Sequence, residues 1–325
     1  MTDLTDGTVL VTGASVHQRY IDQLRAAGLT VINPSASFPP DVLQESILRE
    51  TLSECDAYLL GGDEIASRSV LAAARRLKVV AFLGVGYGSF VDAEAAADLA
   101  IAVTNTPGVV ANSVAEFAVG ELIAARRKLI DYIVDPELTQ QNRRDLAGHT
   151  VGLVGLGAVG TRIAEILTIG FKARVCYFSR TRKPEAEAAL GVAYLPLREL
   201  ISQVEDLVVA VPDTPQTTSM IDQDLIAAAR TRLSVINLSR PEIIAPQALR
   251  WGLQNECLES VWFDDYYRSP TPDLIDLRKD PRIKITPHIA SLTHDARDAM
   301  AAMAVSSLLN VLLRGSDQHI VNNAP

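Results

Sequence analysis

The chain has 325 residues, of which 48% are hydrophobic and 21% are charged, so we expect a packed core divided between about two domains. Its formal net charge of −9 argues against nucleic acid or an anionic membrane as the main partner. The cysteines Cys55, Cys176 and Cys257 are widely spaced and form neither a disulfide nor a metal-binding pattern, which favours a reducing compartment.

The first residues, Met1 to Leu4, carry no basic flank and no long apolar stretch, so we expect no signal peptide. No apolar run approaches the ~18 residues that are needed to span a bilayer. Together with the charge and the cysteines, these features predict a cytoplasmic protein without a membrane partner.

The N-terminal hundred residues alternate between strand and helix patterns. Strands are predicted at 9–12, 30–32, 57–60 and 79–83. Helices are predicted at 18–27, where Gly28 ends the helix, at 40–52 and at 70–77. Such alternation indicates parallel strands that are joined by helical crossovers.

A long helix at 113–128 and a polar, irregular segment at 135–144 precede a second alternating unit. Its strands are predicted at 151–154, 174–178, 207–211, 234–238, 260–263 and 283–286, and an amphipathic helix follows at 296–313. Two alternating units on one chain predict an α/β protein of two doubly wound parallel-sheet domains with a cleft between them, where ligands bind at the carboxyl ends of strands.

The most informative passage, residues 150–160, joins an apolar strand to a helix through the spacing G-x-G-x-x-G. Gly155 permits a tight turn, Gly157 lacks a Cβ so that backbone can approach phosphates, and Gly160 lets the helix lie close to the strand. The helix N-terminus offers free N–H groups to an anion. We predict dinucleotide binding at Gly155, Leu156, Gly157, Ala158, Val159 and Gly160. The alternative is a strand–helix turn without a ligand.

The end of the second strand of this unit indicates which dinucleotide is bound. Folds selective for NAD place an acidic residue there, about 20 residues after the glycines. This chain instead has Ser179, followed by Arg180, Thr181, Arg182 and Lys183. No carboxylate repels a 2′-phosphate and three cations are available to bind it, so we predict that NADP(H) is preferred, with NAD(H) as the alternative. The other interpretation is a solvated loop.

Polar residues follow three later strands. Arg240 follows the predicted strand at 234–238, Asp264 and Asp265 follow the next strand, and His288 follows the last one. The carboxyl ends of parallel strands meet at one edge of a sheet, so we expect Arg240 and His288 to meet a substrate beside the cofactor. Taken singly, each residue also fits an ordinary role, a surface ion pair for Arg240 and a core histidine for His288.

Five ordered segments resemble the D-isomer-specific 2-hydroxyacid dehydrogenase family, and the resemblance covers most of the chain from about Lys78 onward. Residues 84–87 resemble the loop that binds the substrate carboxylate, and residues 103–108 with 113–116 resemble the entry into the nucleotide domain. The remaining segments resemble the loop beside the cofactor (212–217), the catalytic-arginine motif (237–240) and the catalytic-histidine motif (286–288).

The resemblance implies roles for individual residues. Arg240 binds the 2-oxo acid and stabilises developing alkoxide charge, and backbone N–H groups around Val85 and Gly86 bind the other side of the carboxylate. His288 exchanges a proton with the substrate oxygen, and Asp264 accepts a hydrogen bond from the nicotinamide carboxamide. Further cofactor contacts are expected at Val211, Pro212, Thr217, Leu238, Ser239, His288 and Ser291.

The resemblance also implies the organisation of the domains. Residues 103–292 form a dinucleotide-binding Rossmann domain, and residues 1–102 with 293–325 form a discontinuous, flavodoxin-like substrate domain. The helix at 113–128 and the segment after it fall where family members dimerise. We therefore expect a homodimer that assembles through the nucleotide-binding domain.

The sequence departs from the family where a glutamate usually hydrogen-bonds the histidine. Alignment on Pro270 places Ser269 at that position. Asp265 is the nearest carboxylate, but neighbouring strand residues point to opposite sides of a sheet, so we expect Asp265 and Asp264 not to share one site. Two more remote candidates are Glu259 and Glu242.

The sequence departs from the family pattern at two further places, one directly after the arginine and one directly after the two carboxylates. Pro241 stands where the family usually has glycine, and a proline forces the residue before it, Arg240, toward an extended backbone. The residues at 266–268, two tyrosines and an arginine, fit either a surface loop or a site for a bulkier or doubly anionic substrate.

The leading hypothesis is an NAD(P)-dependent oxidoreductase that reduces a small 2-oxo acid to the D-hydroxy acid. Ser269 leaves three explanations open: slower reduction at neutral pH, a carboxylate supplied by another loop, or a variant chemistry on formate, phosphite or a specialised metabolite. The alternative from another class is a nucleotide-sensing scaffold like the corepressors of the same family.

Overall fold

The computed structural model describes residues 7–13, 16–33, 42–139, 141–267 and 271–322. The chain divides into two compact units, Met1–Val110 with Thr293–Pro325 and Ala111–Leu292. The first boundary falls after residue 110, whereas the sequence places it after residue 102. Residues beyond 102 belong to the first unit because the strand Ala102–Thr104 pairs with the strand Val79–Phe82 of its sheet.

The first unit contains a five-stranded sheet with helices between the strands. Its strands are β1 (Thr8–Thr12), β2 (Thr30–Ile32), β3 (Ala57–Leu60), β4 (Val79–Phe82) and β5 (Ala102–Thr104), and its first helices are α1 (Gln18–Ala26), α2 (Glu45–Leu52), α3 (Arg68–Ala73) and α4 (Ala93–Asp98). The order is β2-β1-β3-β4-β5 with parallel pairing throughout. This is the flavodoxin-like order, so the predicted fold class of this unit is confirmed.

Both faces of this sheet are buried, which explains why its strands are apolar at nearly every position. Leu10, Tyr58 and Val80 face one layer of helices, while Val9, Leu59 and Val79 face the other. Helix α2 begins at Glu45. The predicted start of that helix at Pro40 and Asp41 lies outside the described residues.

The second unit contains a seven-stranded sheet. Its strands are β6 (Thr150–Val154), β7 (Arg174–Phe178), β8 (Ala193–Tyr194), β9 (Asp206–Val209), β10 (Leu233–Asn237), β11 (Leu258–Phe263) and β12 (Ile283–Ile285). The order is β12-β11-β10-β9-β6-β7-β8, again parallel throughout. The strand order reverses between β6 and β9, and dinucleotides bind at such a switch point in Rossmann folds.

The helices of the second unit cover both faces of its sheet. They are α5 (Ala111–Arg127), α6 (Leu129–Val134), α7 (Ala158–Glu165), α8 (Pro184–Leu190), α9 (Leu197–Gln203), α10 (Gln223–Ile226), α11 (Pro246–Gln254) and α12 (Pro272–Leu277). A π-helical turn at Ile166–Gly170 extends α7. The sequence predicted α5 and α7 to within two residues of their starts, but it did not predict α6, which Lys128 separates from α5 with a φ of 49°.

The last helix, α13 (His294–Arg314), returns the chain to the first unit. Among the described residues, α13 is the one helix that is long and apolar enough, by length and composition, to cross a membrane. This differs from the expectation that no apolar run is long enough to do so. Its apolar character has a local cause, because Ala301, Ala304, Val305 and Leu308 are buried against β3, β4 and β5.

Candidate active site

The glycine turn after β6 is shaped by two positions that admit no side chain. Gly155 has a φ of +103°, and a Cβ built on it would lie 2.4 Å from the carbonyl oxygen of Ala210. A Cβ on Gly160 would lie 2.1 Å from the carbonyl oxygen of Gly155. The first glycine therefore sets the turn and the last one lets α7 lie against it, as the sequence predicts.

Gly157 differs from its two neighbours in the motif, because no atom lies within 4 Å of a Cβ built on it. It is the N-cap of α7, whose first N–H groups have no acceptor within the helix. The turn thus combines unpaired donors with room for a ligand, which fits a dinucleotide pyrophosphate. The side chain of Leu156 is 3% exposed, so only the backbone of this residue can take part.

The segment after β7 contains two arginines, one that pairs with a carboxylate and one without a described partner. Ser179 is 9% exposed, and its hydroxyl donates to the carbonyl oxygen of Thr181 at 2.6 Å. Arg182 donates to both carboxylate oxygens of Glu187, at 2.8 and 2.7 Å, and this contact lowers the pKa of Glu187 to about 2. Glu187 therefore occupies the planar face of Arg182, and the contact of this arginine with a phosphate stays a prediction. Arg180 is exposed, and no described residue pairs with its side chain.

The loop after β9 is closed by one of its own side chains. The Thr217 hydroxyl donates to the carbonyl oxygen of Pro212 at 2.6 Å and accepts from the backbone N–H of Thr214 at 2.8 Å. Its hydrogen is therefore used within the loop. Thr217 fixes the path of Val211 and Pro212, which leave the sheet at the switch point.

Arg240 follows β10 in a loop that Asn237 holds. The Asn237 amide donates to the carbonyl oxygen of Arg240 at 3.1 Å, and its oxygen accepts from the N–H of Ser239 at 2.9 Å. The backbone of Arg240 is extended, with φ −84° and ψ 143°, as expected from Pro241. The sequence analysis assigned no role to Asn237, although its place at the end of a buried strand marks it as a loop-forming residue.

His288 lies in a strained loop that Asp264 stabilises. The φ of His288 is 56°, in the left-handed region that side chains disfavour. Asp264 is 3% exposed and accepts three hydrogen bonds from this loop, from the Thr286 hydroxyl at 2.8 Å and from the N–H groups of Ile289 at 2.7 Å and Ala290 at 2.9 Å. These bonds flank His288 on both sides and offset its backbone strain.

Three side chains from separate loops converge at the carboxyl edge of this sheet. Arg240 Nη1 lies 3.0 Å from Asp265 Oδ2 and 3.3 Å from His288 Nδ1. His288 Nδ1 lies 3.8 Å from the same Asp265 oxygen. The cluster, which we call the Arg–Asp–His cluster, brings the arginine and the histidine into contact and adds a carboxylate between them.

The expectation that Asp264 and Asp265 do not share one site is wrong. Strand β11 ends at Phe263, and Asp265 has a φ of 150°, so the alternation of a regular strand does not extend to it. The two carboxylates support the same histidine in different ways. Asp264 bonds its loop and Asp265 contacts its ring.

Other expected carboxylates lie elsewhere. Glu259 stands near the start of β11, where it pairs with Lys128 and Arg143 at 3.1 Å each. Ser269 and Arg268 lie outside the described residues. Tyr266 and Tyr267 are only 8% and 6% exposed, so the surface-loop interpretation of this segment is wrong for the tyrosines, which belong to the core.

The loop that was assigned to the substrate carboxylate lies in the first unit. Gly84 has a φ of +155°, and a Cβ on it would lie 2.7 Å from Phe82. Val85 is 48% exposed, and its carbonyl oxygen accepts from the Asn105 amide at 3.1 Å. These contacts fix the backbone of the loop, while the apolar side chain of Val85 remains exposed.

The second unit resembles a known domain in sequence. Residues 122–290 match the family description "D-isomer specific 2-hydroxyacid dehydrogenase, NAD binding domain". Glyoxylate reductase from Thermococcus kodakarensis is 31% identical over 281 residues, which cover 82% of this chain and 83% of the relative. Glyoxylate reductase from Pyrococcus furiosus is 31% identical over 283 residues, covering 83% and 82%. The chain belongs to the D-isomer-specific 2-hydroxyacid dehydrogenase family.

Solved structures agree with this assignment. A protein from Thermus thermophilus is 30% identical with a TM-score of 0.81, covering 97% of this chain and 99% of its own. An NADPH-dependent glyoxylate/hydroxypyruvate reductase from Sinorhizobium meliloti is 25% identical with a TM-score of 0.80, covering 98% and 99%. The chain is therefore a dehydrogenase, an oxidoreductase that acts on CH–OH groups with a nicotinamide cofactor.

The glycine motif of this dehydrogenase allows a matched test. We expect Gly157→Ala to fold normally, because its Cβ meets open space, but to weaken binding of NADPH about tenfold or more by crowding the phosphates. Gly160→Ala should instead destabilise the protein by about 1–3 kcal/mol, because its Cβ meets backbone. Thermal denaturation and NADPH titration of both variants check this. Equal losses of stability in the two variants would contradict it.

A buried acid, Glu121, lies behind Asp264. It is 6% exposed, and neither carboxyl oxygen has a hydrogen-bond partner among the described residues. Burial raises the pKa of Glu121 to about 8, and the charge of Asp264 adds to the effect. Glu121 is thus largely protonated at neutral pH and adds little negative charge behind the histidine loop. The burial of Glu121 could not be predicted from the sequence, because no local pattern distinguishes its position from the other positions of α5.

Glu121 makes stability depend on pH. Because the pKa is raised in the folded state, the unfolded chain loses the proton first, and stability falls as pH rises from about 4.5 toward 8. We expect wild-type stability to decline by about 2–3 kcal/mol between pH 6 and pH 8 relative to Glu121→Gln. Urea unfolding at both pH values measures this, with the exposed Glu116→Gln on the same helix as control. Parallel curves for wild type and Glu121→Gln would disprove it.

Proposed function

We propose that this dehydrogenase reduces a small 2-oxo acid to the D-2-hydroxy acid with NADPH, with Arg240 as the substrate-binding residue and His288 as the acid–base. The observation that carries the proposal is the 3.3 Å contact between Arg240 Nη1 and His288 Nδ1 at the carboxyl ends of β10 and β12. A cation and a proton donor at one point of the sheet match the permanent carboxylate charge of a 2-oxo acid and the negative charge that develops on its carbonyl oxygen during reduction.

Arg240 is oriented to bind a carboxylate. Both of its contacts within the Arg–Asp–His cluster use Nη1. Nε and Nη2 form the other edge of the guanidinium, which has the spacing for two parallel hydrogen bonds to a carboxylate or to a carboxylate and its neighbouring carbonyl. The fixed positive charge also stabilises alkoxide charge as the carbonyl carbon is reduced.

His288 is oriented to protonate the substrate oxygen. The guanidinium can only donate, so Nδ1 of the neutral ring accepts and the ring proton lies on Nε2. The side chain is 53% exposed, so Nε2 is free to face a carbonyl oxygen, and the doubly protonated ring is the form that gives a proton to this oxygen from Nε2 and returns to the neutral ring. The reduced nicotinamide, when bound, supplies the hydride.

The cofactor assignment rests on Arg180. Ser179 stands where an acidic residue would repel a 2′-phosphate, and Arg180 is exposed without a described partner. The Sinorhizobium meliloti relative is NADPH-dependent by its name. Arg180→Ala should weaken NADPH binding about tenfold with little effect on NADH. Arg182→Ala, whose fork is occupied by Glu187, is the control. Tighter binding of NADH than of NADPH by the wild type would refute the assignment.

The substrate is tested with a panel of 2-oxo acids. Relatives named glyoxylate reductase make glyoxylate the first member of the panel, with hydroxypyruvate second. We expect NADPH oxidation with at least one of these acids and the D configuration in a chiral product. Tight NADPH binding without turnover of any 2-oxo acid, glyoxylate included, would favour a nucleotide-sensing scaffold instead.

Assembly into a homodimer is proposed on the surface of α6 and the residues just after it. Five large apolar side chains are exposed there, between 36% and 78%: Leu129, Ile130, Ile133, Val134 and Leu138. Apolar patches of this kind mark association surfaces in soluble proteins. Light scattering after size exclusion should show a dimer that Ile133→Lys dissociates. Ile47→Lys, at an exposed position on α2, should leave the mass unchanged. A wild-type monomer would contradict the proposal.

A further inference from the structure

Asp265 occupies the centre of the Arg–Asp–His cluster. Its Oδ2 atom lies 3.0 Å from Arg240 Nη1 and 3.8 Å from His288 Nδ1, and its side chain is 26% exposed. We propose that Asp265 is a positioning residue that holds Arg240 in place and allows His288 to carry a proton beside a guanidinium. The expected effect of Asp265 on kcat rests on the proposed function, whereas its expected effect on the His288 ring can be measured without turnover.

The first argument is electrostatic. Arg240 is always charged, and its Nη1 lies 3.3 Å from the imidazole ring. A guanidinium at that distance repels a protonated imidazole. The negative charge of Asp265 contacts both cations and compensates for most of this repulsion. His288 can then accept a proton and deliver it in the reductive direction.

The charged groups around the cluster support this assignment. Arg240 faces Asp265 from the loop after β10, and His288 faces it from the loop after β12. Asp264, its neighbour in sequence, is committed to the N–H groups of Ile289 and Ala290. Within the described part of the chain, Asp265 is the carboxylate that reaches the ring nitrogen of His288.

The second argument is conformational. Asp265 has a φ of 150°, a backbone conformation at which glycine is strongly favoured. Its Oδ1 accepts from the N–H of Tyr266 at 2.7 Å. Tyr266 and Tyr267 are buried, and their hydroxyls donate to the carbonyl oxygens of Leu274 at 2.7 Å and Ile244 at 2.9 Å. The two buried tyrosines that follow Asp265 therefore anchor its strained backbone. The carboxylate of Asp265 points at Arg240. Strain of this kind is typical of positions kept for function.

Two variants separate function from structure. Asp265→Asn keeps the shape and removes the charge, and Asp265→Gly removes the carboxylate and relieves the backbone. We expect kcat for a 2-oxo acid to fall on the order of 10- to 100-fold in both, while the Kd for NADPH changes less than twofold. The thermal midpoint of Asp265→Gly should equal or exceed that of wild type. Asp276→Asn, an exposed aspartate on α12, is the control and should retain wild-type kcat and stability.

The second readout does not require turnover. In NMR spectra of the histidine rings, assigned with His288→Gln, the ring signals of His288 should shift in Asp265→Asn, because the carboxylate 3.8 Å from Nδ1 loses its charge. The pH profile of the reduction rate should change in the same variant. If wild type reduces no 2-oxo acid, the proposed function fails while these spectra still decide the role of Asp265. Unmoved His288 signals, or a loss of stability in Asp265→Gly, would overturn the proposal.

Discussion

We expect Arg240→Ala to lower kcat/KM for a 2-oxo acid by on the order of 10³-fold, because in the proposed function it removes both the carboxylate fork and the positive charge that stabilises the alkoxide. The Kd for NADPH stays near its wild-type value, because the cofactor turn at Gly157 lies after β6 and Arg240 lies after β10. Steady-state kinetics and a fluorescence titration of NADPH measure the two quantities. Retained turnover in this variant would overturn the proposed function.

Arg240→Lys refines the same experiment. Lysine keeps the charge but offers a point donor in place of a planar fork, so we expect an intermediate loss, mostly in KM. Arg230→Ala, an exposed arginine after α10, serves as the control and should leave the kinetics unchanged. If lysine restored full activity, the charge alone would suffice and the bidentate geometry inferred for Arg240 would be wrong.

Arg126→Met destabilises the protein by about 3–5 kcal/mol, because it leaves the buried Asp206 without its counter-ion. The two side chains are 7% and 3% exposed and form an ion pair between α5 and the start of β9. Arg126 also donates to the carbonyl oxygen of Arg144 at 3.3 Å, and His149 lies 3.2 Å from the Asp206 carboxylate. The pair therefore connects a helix, a strand and the segment that precedes β6.

Urea unfolding of the whole chain measures this effect. Arg127→Met, the exposed neighbour on the same helix, should change the free energy of unfolding by less than about 0.5 kcal/mol. Adding Asp206→Asn to Arg126→Met should recover part of the loss, because the uncompensated charge is then absent. Equal stability of the Arg126→Met and Arg127→Met variants would show that the ion pair contributes nothing measurable.

Several features of the site were predictable because they depend on local patterns. The glycine turn is set by residue type and spacing, and the strand order places Arg240 and His288 at one edge of a parallel sheet. The extended backbone at Arg240 follows from the proline after it. The short strands β5 and β8 were not predicted, because their two or three residues are too few to show a period by themselves.

The sequence by itself determined the two doubly wound units and the phosphate turn, since periodicity, glycine spacing and the alternation of strand and helix patterns are properties of contiguous residues. Only the tertiary structure decided that Glu187 occupies Arg182, that Glu121 is buried without a partner among the described residues, and that Asp265 contacts His288. The physical reason is that these contacts depend on backbone angles beyond strand ends and on side chains brought together from distant positions. Neither is encoded in a local pattern.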